Sequence, residues 1–297
     1  MTPVARLRNY LDLYRYHRER SAAFATHDYR NVYLAARRRI EPLLDRSLAG
    51  ARLLDIGCGQ RCPATLLFSH AGCRVTGIDT ELVTAGPGPG AFVRVWRAGG
   101  FERAVKTLFR QLVFDPPYYR ALEGHAGAPL PRRGLDVRQL SITERLPFDD
   151  ATFDIMVSNA VFEHIPDVPA AVAELTRLLA PGGLCHIAIH LYPSLSGGHQ
   201  MRWAFPETEP PDDIPPWDHL RERRFPPHVY LNELVDADYR AAFAGEPGLE
   251  VLDWQVVVTE GERFLTPAIE AELADRYSRD DLLTREVVVI ARRRQAD

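Results

Sequence analysis

The stretch LLDIGCGQ, residues 53–60, constrains the fold more than any other part of the chain. Residues 51–56, ARLLDI, are a short apolar run that ends on an acid and a glycine turn. A run of that length bounded by a turn reads as a buried strand. Gly57 and Gly59 let the backbone turn tightly and admit a ligand close to the main chain. The carboxyl edge of the sheet is where open α/β folds bind ligands. The turn therefore predicts a fold class and a candidate site together.

The pattern around it is an alternation of strands and helices. ATLLFSHAG reads as a helix closed by Gly72, and CRVTGID as a second strand ending at Asp79. Residues 84–91, TAGPGPGA, cannot form a stable helix or strand interior. Residues 101–114 read as an amphipathic helix, and DPPYYRALEGHAGAPLPRRG closes that segment with further breakers. The whole of 84–133 reads as an enlarged connection between strands two and three. LDVRQLS is a third strand and FDIMVS, 153–158, a fourth. A helix over Pro166 to Leu179 is stopped by Pro181-Gly182-Gly183, and LCHIAIHLY is a fifth strand. Residues 192–228 lack periodicity, and a loop of that length inside a compact domain is commonly functional. Val229 to Phe243 returns to helix. LEVLDWQVVV and REVVVIARR are two final strands, with a helix around Ile269–Ala274 between them. Near-continuous apolar strands alternating with helices predict an α/β fold whose mainly parallel sheet is covered on both faces. Residues 1–50 read as a helical lead-in interrupted by Pro42, and 51–297 as the main domain, with insertions at about 84–133 and 192–228 that could form a cap.

Charge and cysteine usage exclude several classes. The formal net charge is −4, the basic residues are almost all arginine, and no long basic block occurs, so nucleic acid has little electrostatic support as a partner. No run of 18 apolar residues suggests a membrane span. The first residues lack the apolar core of a secretory signal, so a cytoplasmic location is the default expectation. Cys58 and Cys62 form C-x3-C, but no second cysteine or histidine pair completes a metal set. Together with Cys73 and Cys185 they read better as small buried apolar residues.

A two-glycine turn also fits a nicotinamide or flavin dinucleotide fold. Asp79 ends the next strand, where a carboxylate can accept both ribose hydroxyl hydrogens, and this too is shared with nicotinamide folds. The third glycine position of the dinucleotide turn, however, holds Cys62. Close approach to a pyrophosphate is then poorly served. S-adenosylmethionine has no pyrophosphate and loses nothing. Asp55 and Asp79 could instead serve as turn or helix caps.

These motifs resemble the class I S-adenosylmethionine-dependent methyltransferases, particularly the small-molecule enzymes among them. DIGCG resembles the family's first motif, LPFDDATFDIMVSNAVFEHIPD the region of its fourth strand, and LLAPGGLCHIAI the approach to its fifth. The resemblance covers roughly residues 50–82 and 135–190 in family order. It implies a Rossmann-like, seven-stranded, mostly parallel sheet with the last strand antiparallel. It also implies that Asp55, Gly57, Cys58 and Gly59 face the methionine portion of the cofactor, Asp79 the ribose and Thr80 the adenine, with Asn159 just after strand four. Many relatives carry an acid before the LPF stretch; here Ser141 and Ile142 hold the nearest positions, so adenine recognition would use Ser141, Glu144 or backbone groups. The expected product is S-adenosylhomocysteine.

Methyl transfer needs the acceptor close and in line with the sulfonium methyl, and it requires no metal. A base assists an oxygen or amine acceptor, and histidine suits that task near neutral pH. Three histidines are candidates at the carboxyl edge: His164 beyond strand four, His190 ending strand five, and His199 in the loop that follows. Each could instead be structural. Glu163 reads as a cap of the turn beside His164, and His186 as structural. Tyr10, Tyr14, Arg97, Trp203 and Trp217 are weaker substrate-binding candidates from the lead-in and insertions. The reading that follows is methylation of a small-molecule or sugar-containing metabolite, on oxygen first, with nitrogen or carbon as alternatives. A catalytically inactive subunit that keeps the fold, a nicotinamide-dependent oxidoreductase and a non-methylating use of the cofactor are its competitors. The partner expected is a small-molecule substrate, with no nucleic acid and no membrane; a homodimer is compatible with the sequence.

Overall fold

The computed structural model describes residues 20–45, 47–84, 89–203, 206–227 and 229–295. The seven strands are β1 Arg52–Ile56, β2 Arg74–Asp79, β3 Asp136–Gln139, β4 Phe153–Asn159, β5 Leu179–His190, β6 Leu249–Thr259 and β7 Thr284–Arg293. Their order in the sheet is β3-β2-β1-β4-β5-β7-β6. Pairs β1–β2, β2–β3 and β4–β5 are parallel, whereas β7 runs antiparallel to both β5 and β6. This is the mainly parallel sheet that the alternation predicts, in the Rossmann-like, seven-stranded form that the family resemblance implies. The chain divides into two compact units, Met1–Ser141 and Ile142–Asp297.

In the first unit, the lead-in is helical from residue 20 and passes through a π-helical stretch, Asp28–Leu34, into α1, Ala35–Ile40. The glycine turn leads from β1 into α2, Pro63–His70, whose proline occupies the first turn, where an N–H has no intrahelical partner to lose. The enlarged connection is largely helical: α3, Pro89–Phe109, kinks at Gly100 and continues through a π-helical stretch to Phe114. Next comes α4, Asp115–Ala126. This corrects the expectation that DPPYY breaks structure. Pro116 and Pro117 fall in the first turn of α4, where proline's fixed φ favours a helix start.

In the second unit, α5, Val168–Leu178, buries Val168, Ala171, Val172, Leu175 and Leu178 at helical spacing. Asp167 caps it by accepting from the Ala170 N–H at 2.9 Å, a contact worth about 1 kcal/mol. Pro181-Gly182-Gly183 does not precede the fifth strand but lies inside it. The pairing with β4 jumps from Phe153–Leu179 to Ile155–Leu184, so these residues form a bulge that needs no ladder bond from the proline. The helix expected from Val229 is confined to α6, Asp236–Ala244. Asn232 does not join a helix, because its backbone and side chain are committed to the turn at 162–165. The unit closes with α7, Pro267–Leu273, and α8, Arg279–Leu283. No helix among the described residues is long and apolar enough to cross a membrane.

Candidate active site

In the first unit, the turn between β1 and α2 is built by two carboxylates. The Asp55 side chain is buried, and its Oδ2 accepts from both the backbone N–H and the hydroxyl of Thr65, at 2.9 and 2.6 Å. Burial pushes the Asp55 carboxyl up to about 6; the two Thr65 bonds oppose that rise and the charge of Asp79 adds to it. Asp79 Oδ2 accepts from the Gly59 N–H at 2.9 Å and Oδ1 from the Glu81 N–H at 2.8 Å. Each carboxylate oxygen has a second lone pair, so these bonds leave Asp79 able to accept from a vicinal diol as well. The N–H groups of Gly57 and Cys58 both donate to the Ile78 carbonyl, which fixes the turn against β2. Gly59 has φ +66°, and a Cβ there would point into open space, so conformation rather than crowding favours glycine. The chemistry of the turn fits S-adenosylmethionine: a buried acid suits a cationic ligand, a second acid suits ribose hydroxyls, and bare backbone lies between. Beside it, Gln60, Arg61 and Cys62 line a cavity of about 630 Å³ with Thr84, Asp115, Tyr119 and Arg132. Arg61 is held there by Asp115 at 2.9 Å.

The remaining positions of that group are dispersed. Thr80 is exposed, and its carbonyl accepts from the Gln139 amide at 3.1 Å. Ser141 is half-buried at the end of the first unit, and Ile142 is buried at the start of the second. Asn159 ends β4, half-buried and in register with Ala188. The four cysteines are buried free thiols, and Cys58 and Cys62 lie 3.9 Å apart.

In the second unit, the three candidate histidines come together. The ring centroids of His164 and His199 are 4.9 Å apart, edge to face, and those of His190 and His199 are also 4.9 Å apart. His164 sits on a 3-10 turn, Phe162–His164, that follows β4. The Asn232 side-chain amide clamps this turn by donating to the carbonyls of Phe162 and Ile165, at 2.8 and 3.0 Å. His164 Nδ1 is 2.8 Å from the Tyr230 carbonyl, so Nδ1 carries the proton and Nε2 keeps its lone pair. His190 Nε2 is 3.0 Å from Ser196 Oγ. That hydroxyl donates to Glu260 Oε1 at 2.6 Å, and the Ser194 hydroxyl donates to the Leu191 carbonyl at 2.9 Å. Both hydroxyl protons are therefore spent, His190 Nε2 must be the donor, and Nδ1 is left as an acceptor. Burial holds His190 well below the usual histidine range, and the neighbouring His199 reinforces this. Burial likewise pushes His199 down to about 4, with His164 as the next cause.

The loop that delivers His199 is tightly constrained. A Cβ on Gly197 would collide with the carbonyl oxygens of Tyr192 and Leu191. Glu260, buried and also paired with Arg285 at 3.4 Å, accepts from the Ser196 backbone N–H at 2.6 Å. His199 itself has φ +52°, a conformation that an L-residue adopts at a cost. Glu163, read from sequence as a turn cap, is instead fully sequestered: its side chain is 1% exposed, and neither carboxylate oxygen has a hydrogen-bond partner. Burial pushes it up to about 8; the nearby backbone N–H groups of residues 163 and 190, which fall short of hydrogen-bond geometry, offset this only in part. The roles of Asn232 and Glu260 have no local signal in the sequence. Trp203 and Trp217 are buried, Trp217 completely, in an apolar cluster with Tyr192, Leu195 and Ile214. Trp217 Nε1 donates to the Pro193 carbonyl at 3.1 Å. Both tryptophans therefore pack within the second unit. Arg97 is exposed on α3, and Tyr10 and Tyr14 lie outside the described residues.

A family model described as a methyltransferase domain matches residues 26–235. The chain is similar to an uncharacterized methyltransferase of Mycobacterium marinum, with 33% identity over 40% of this chain and 43% of that protein. It is also similar to a malonyl-[acyl-carrier protein] O-methyltransferase of Serratia marcescens, with 31% identity over 46% of this chain and 50% of that protein. The chain thus spans half or less of the length of these two curated relatives. Among solved structures, an S-adenosylmethionine-dependent methyltransferase from Mesorhizobium loti aligns with a TM-score of 0.47 and 16% identity, over 86% of this chain and 96% of that one.

Proposed function

We propose, from the premise that the chain belongs to the methyltransferase-domain family, that it transfers a methyl group from S-adenosylmethionine to an oxygen of a small, hydroxylated metabolite, sugar-containing acceptors included. The observation that carries the cofactor half is the pair of carboxylates on the glycine turn. Asp55 lies buried under the turn, and Asp79 is fixed by the Gly59 N–H with acceptor capacity to spare. When bound, S-adenosylmethionine supplies a methyl group already activated on a sulfonium. The chain's own residues then have two tasks: to orient the acceptor, and to receive a proton if the acceptor is a hydroxyl.

The histidine cluster supports the second task. His190 Nδ1 and His164 Nε2 carry lone pairs, and burial keeps His190 and His199 neutral at pH 7. The name of the Serratia relative favours oxygen over nitrogen or carbon. In this reading 1–50 is a helical lead-in to a catalytic domain at 51–297, and 84–133 and 192–228 are specificity segments.

Incubation with methyl-labelled S-adenosylmethionine and a panel of hydroxylated acids, phenols and sugars tests this. Mass spectrometry and the methyl NMR shift would identify the acceptor atom. A methyl ether or ester is expected. A product methylated on nitrogen or carbon would move the chemistry, and cofactor binding without any transfer would favour the inactive-subunit alternative.

A further inference from the structure

Glu163 poses a problem that methyl transfer alone does not solve. A carboxyl with both oxygens buried and outside hydrogen-bond geometry is strongly disfavoured, and the N–H groups of residues 163 and 190 relieve it only in part. His199 Nε2 is likewise buried and unpartnered, 3.9 Å from Glu163 Oε1. The third group is His164, whose Nε2 lone pair is free because Nδ1 is committed to the Tyr230 carbonyl. One ligand atom from each of the three lies within 4.8 Å of the others. Polar atoms this concentrated and this poorly satisfied call for a shared partner with positive charge.

We infer that Glu163, His164 and His199 form a binding site for one divalent transition-metal cation of the zinc class, with an open position for an oxygen donor of the acceptor. The donor set is two imidazole nitrogens and one carboxylate oxygen, which suits zinc, cobalt, iron or manganese better than magnesium or calcium. Three protein ligands with a vacant fourth position is the pattern of catalytic rather than structural zinc. Ligand atoms around a tetrahedral zinc lie roughly 3.3 Å apart, given bonds of about 2.0–2.1 Å. The present spacing therefore closes with side-chain rotations of about an ångström.

The support behind the ligands is already in place. The Nδ1–H of His164 donates to a backbone carbonyl, the outer-shell bond that orients a metal-binding imidazole. The Asn232 clamp fixes the Glu163–His164 turn, and the left-handed backbone of His199 is held by a loop that Glu260 and Gly197 constrain. No metal set is legible in the sequence, because His199 comes from a different loop than Glu163 and His164. That the open position holds the methyl acceptor rests on the function proposed above; the metal site itself does not.

The test uses the full chain, freed of metal with a chelator and titrated with Co²⁺, with Zn²⁺ as competitor and Mg²⁺ as control. One equivalent of Co²⁺ should give visible d–d absorption that Zn²⁺ abolishes and Mg²⁺ does not, together with a rise in Tm. Glu163→Gln, His164→Gln and His199→Gln should each weaken Co²⁺ binding at least tenfold. His199→Cys, which restores a zinc ligand, should retain Zn²⁺, and His70→Gln, at an exposed histidine of α2, should bind as the parent does. Absence of saturable Co²⁺ binding, or variants that bind as tightly as the parent, would overturn the site. Calorimetry with S-adenosylhomocysteine on the same samples separates the two readings. Cofactor binding without metal binding ends the metal proposal alone, and metal binding without cofactor binding ends the methyltransferase reading alone.

Discussion

The glycine turn of the first unit and the histidine cluster of the second solve opposite problems. In the turn, both carboxylates are satisfied by protein: Asp55 by Thr65, and Asp79 by the N–H groups of Gly59 and Glu81. In the cluster, both Glu163 oxygens and His199 Nε2 are buried without a hydrogen bond, and the nearby N–H groups of residues 163 and 190 relieve Glu163 only in part. A pre-satisfied site can bind a ligand by adding bonds to lone pairs left over. An unsatisfied one stores unfavourable free energy that a ligand releases. The first kind contributes to stability on its own, whereas the second depends on a scaffold.

The largest expected effect comes from that scaffold. Glu260→Ala leaves the buried Ser196 N–H and hydroxyl without their acceptor, and should cost about 3 kcal/mol in urea unfolding. A loss under about 1 kcal/mol would mean that the loop holds His199 by packing alone. A smaller effect concerns pH. His219 is buried, donates Nε2–H to the Tyr192 carbonyl at 2.9 Å, and is pushed down to about 4 by burial. Between pH 6.5 and 4 the unfolded chain protonates this residue while the folded chain does not. Stability is therefore complete above pH 6.5 and falls as the pH is lowered, by about 1 kcal/mol per pH unit from this group. His219→Gln should flatten that slope by one proton, and an unchanged slope would reassign the titration. Least of all, Thr65→Val removes one of the two bonds to Asp55 at nearly constant volume. It should cost about 1 kcal/mol and raise the Asp55 titration, followed by carboxyl NMR. A fall in the Asp55 titration would show that the Thr65 hydroxyl does not stabilise the ionised carboxyl.

The same contrast explains what the sequence revealed. The turn is legible because its parts are local: a strand, two glycines and an acid ending the next strand are all fixed by short-range pattern. The mainly parallel sheet follows from the alternation of strands and helices, and its Rossmann-like form from the family resemblance. The three histidines are legible one by one, since each stands at or just beyond a strand's carboxyl end, but their meeting is not. Glu163 looks like a turn cap, and only tertiary burial strips it of partners. Asn232 falls in a segment whose composition suggests helix, yet its bonds to the turn at 162–165 outweigh that preference. Trp217 shows the converse: its setting among prolines and charges resembles a lid, and its burial in an apolar cluster of the second unit has no local signal.

The central claim is that cofactor recognition belongs to the turn and acceptor chemistry to the cluster. Calorimetric titration of S-adenosylhomocysteine into Asp79→Asn and His199→Ala tests it most directly. Loss of charge-assisted bonds at Asp79 should weaken binding roughly 100-fold, while His199→Ala should bind within about twofold of the parent, having lost no group that faces the cofactor. Unaltered affinity in Asp79→Asn, or an equal loss in both variants, would contradict the account.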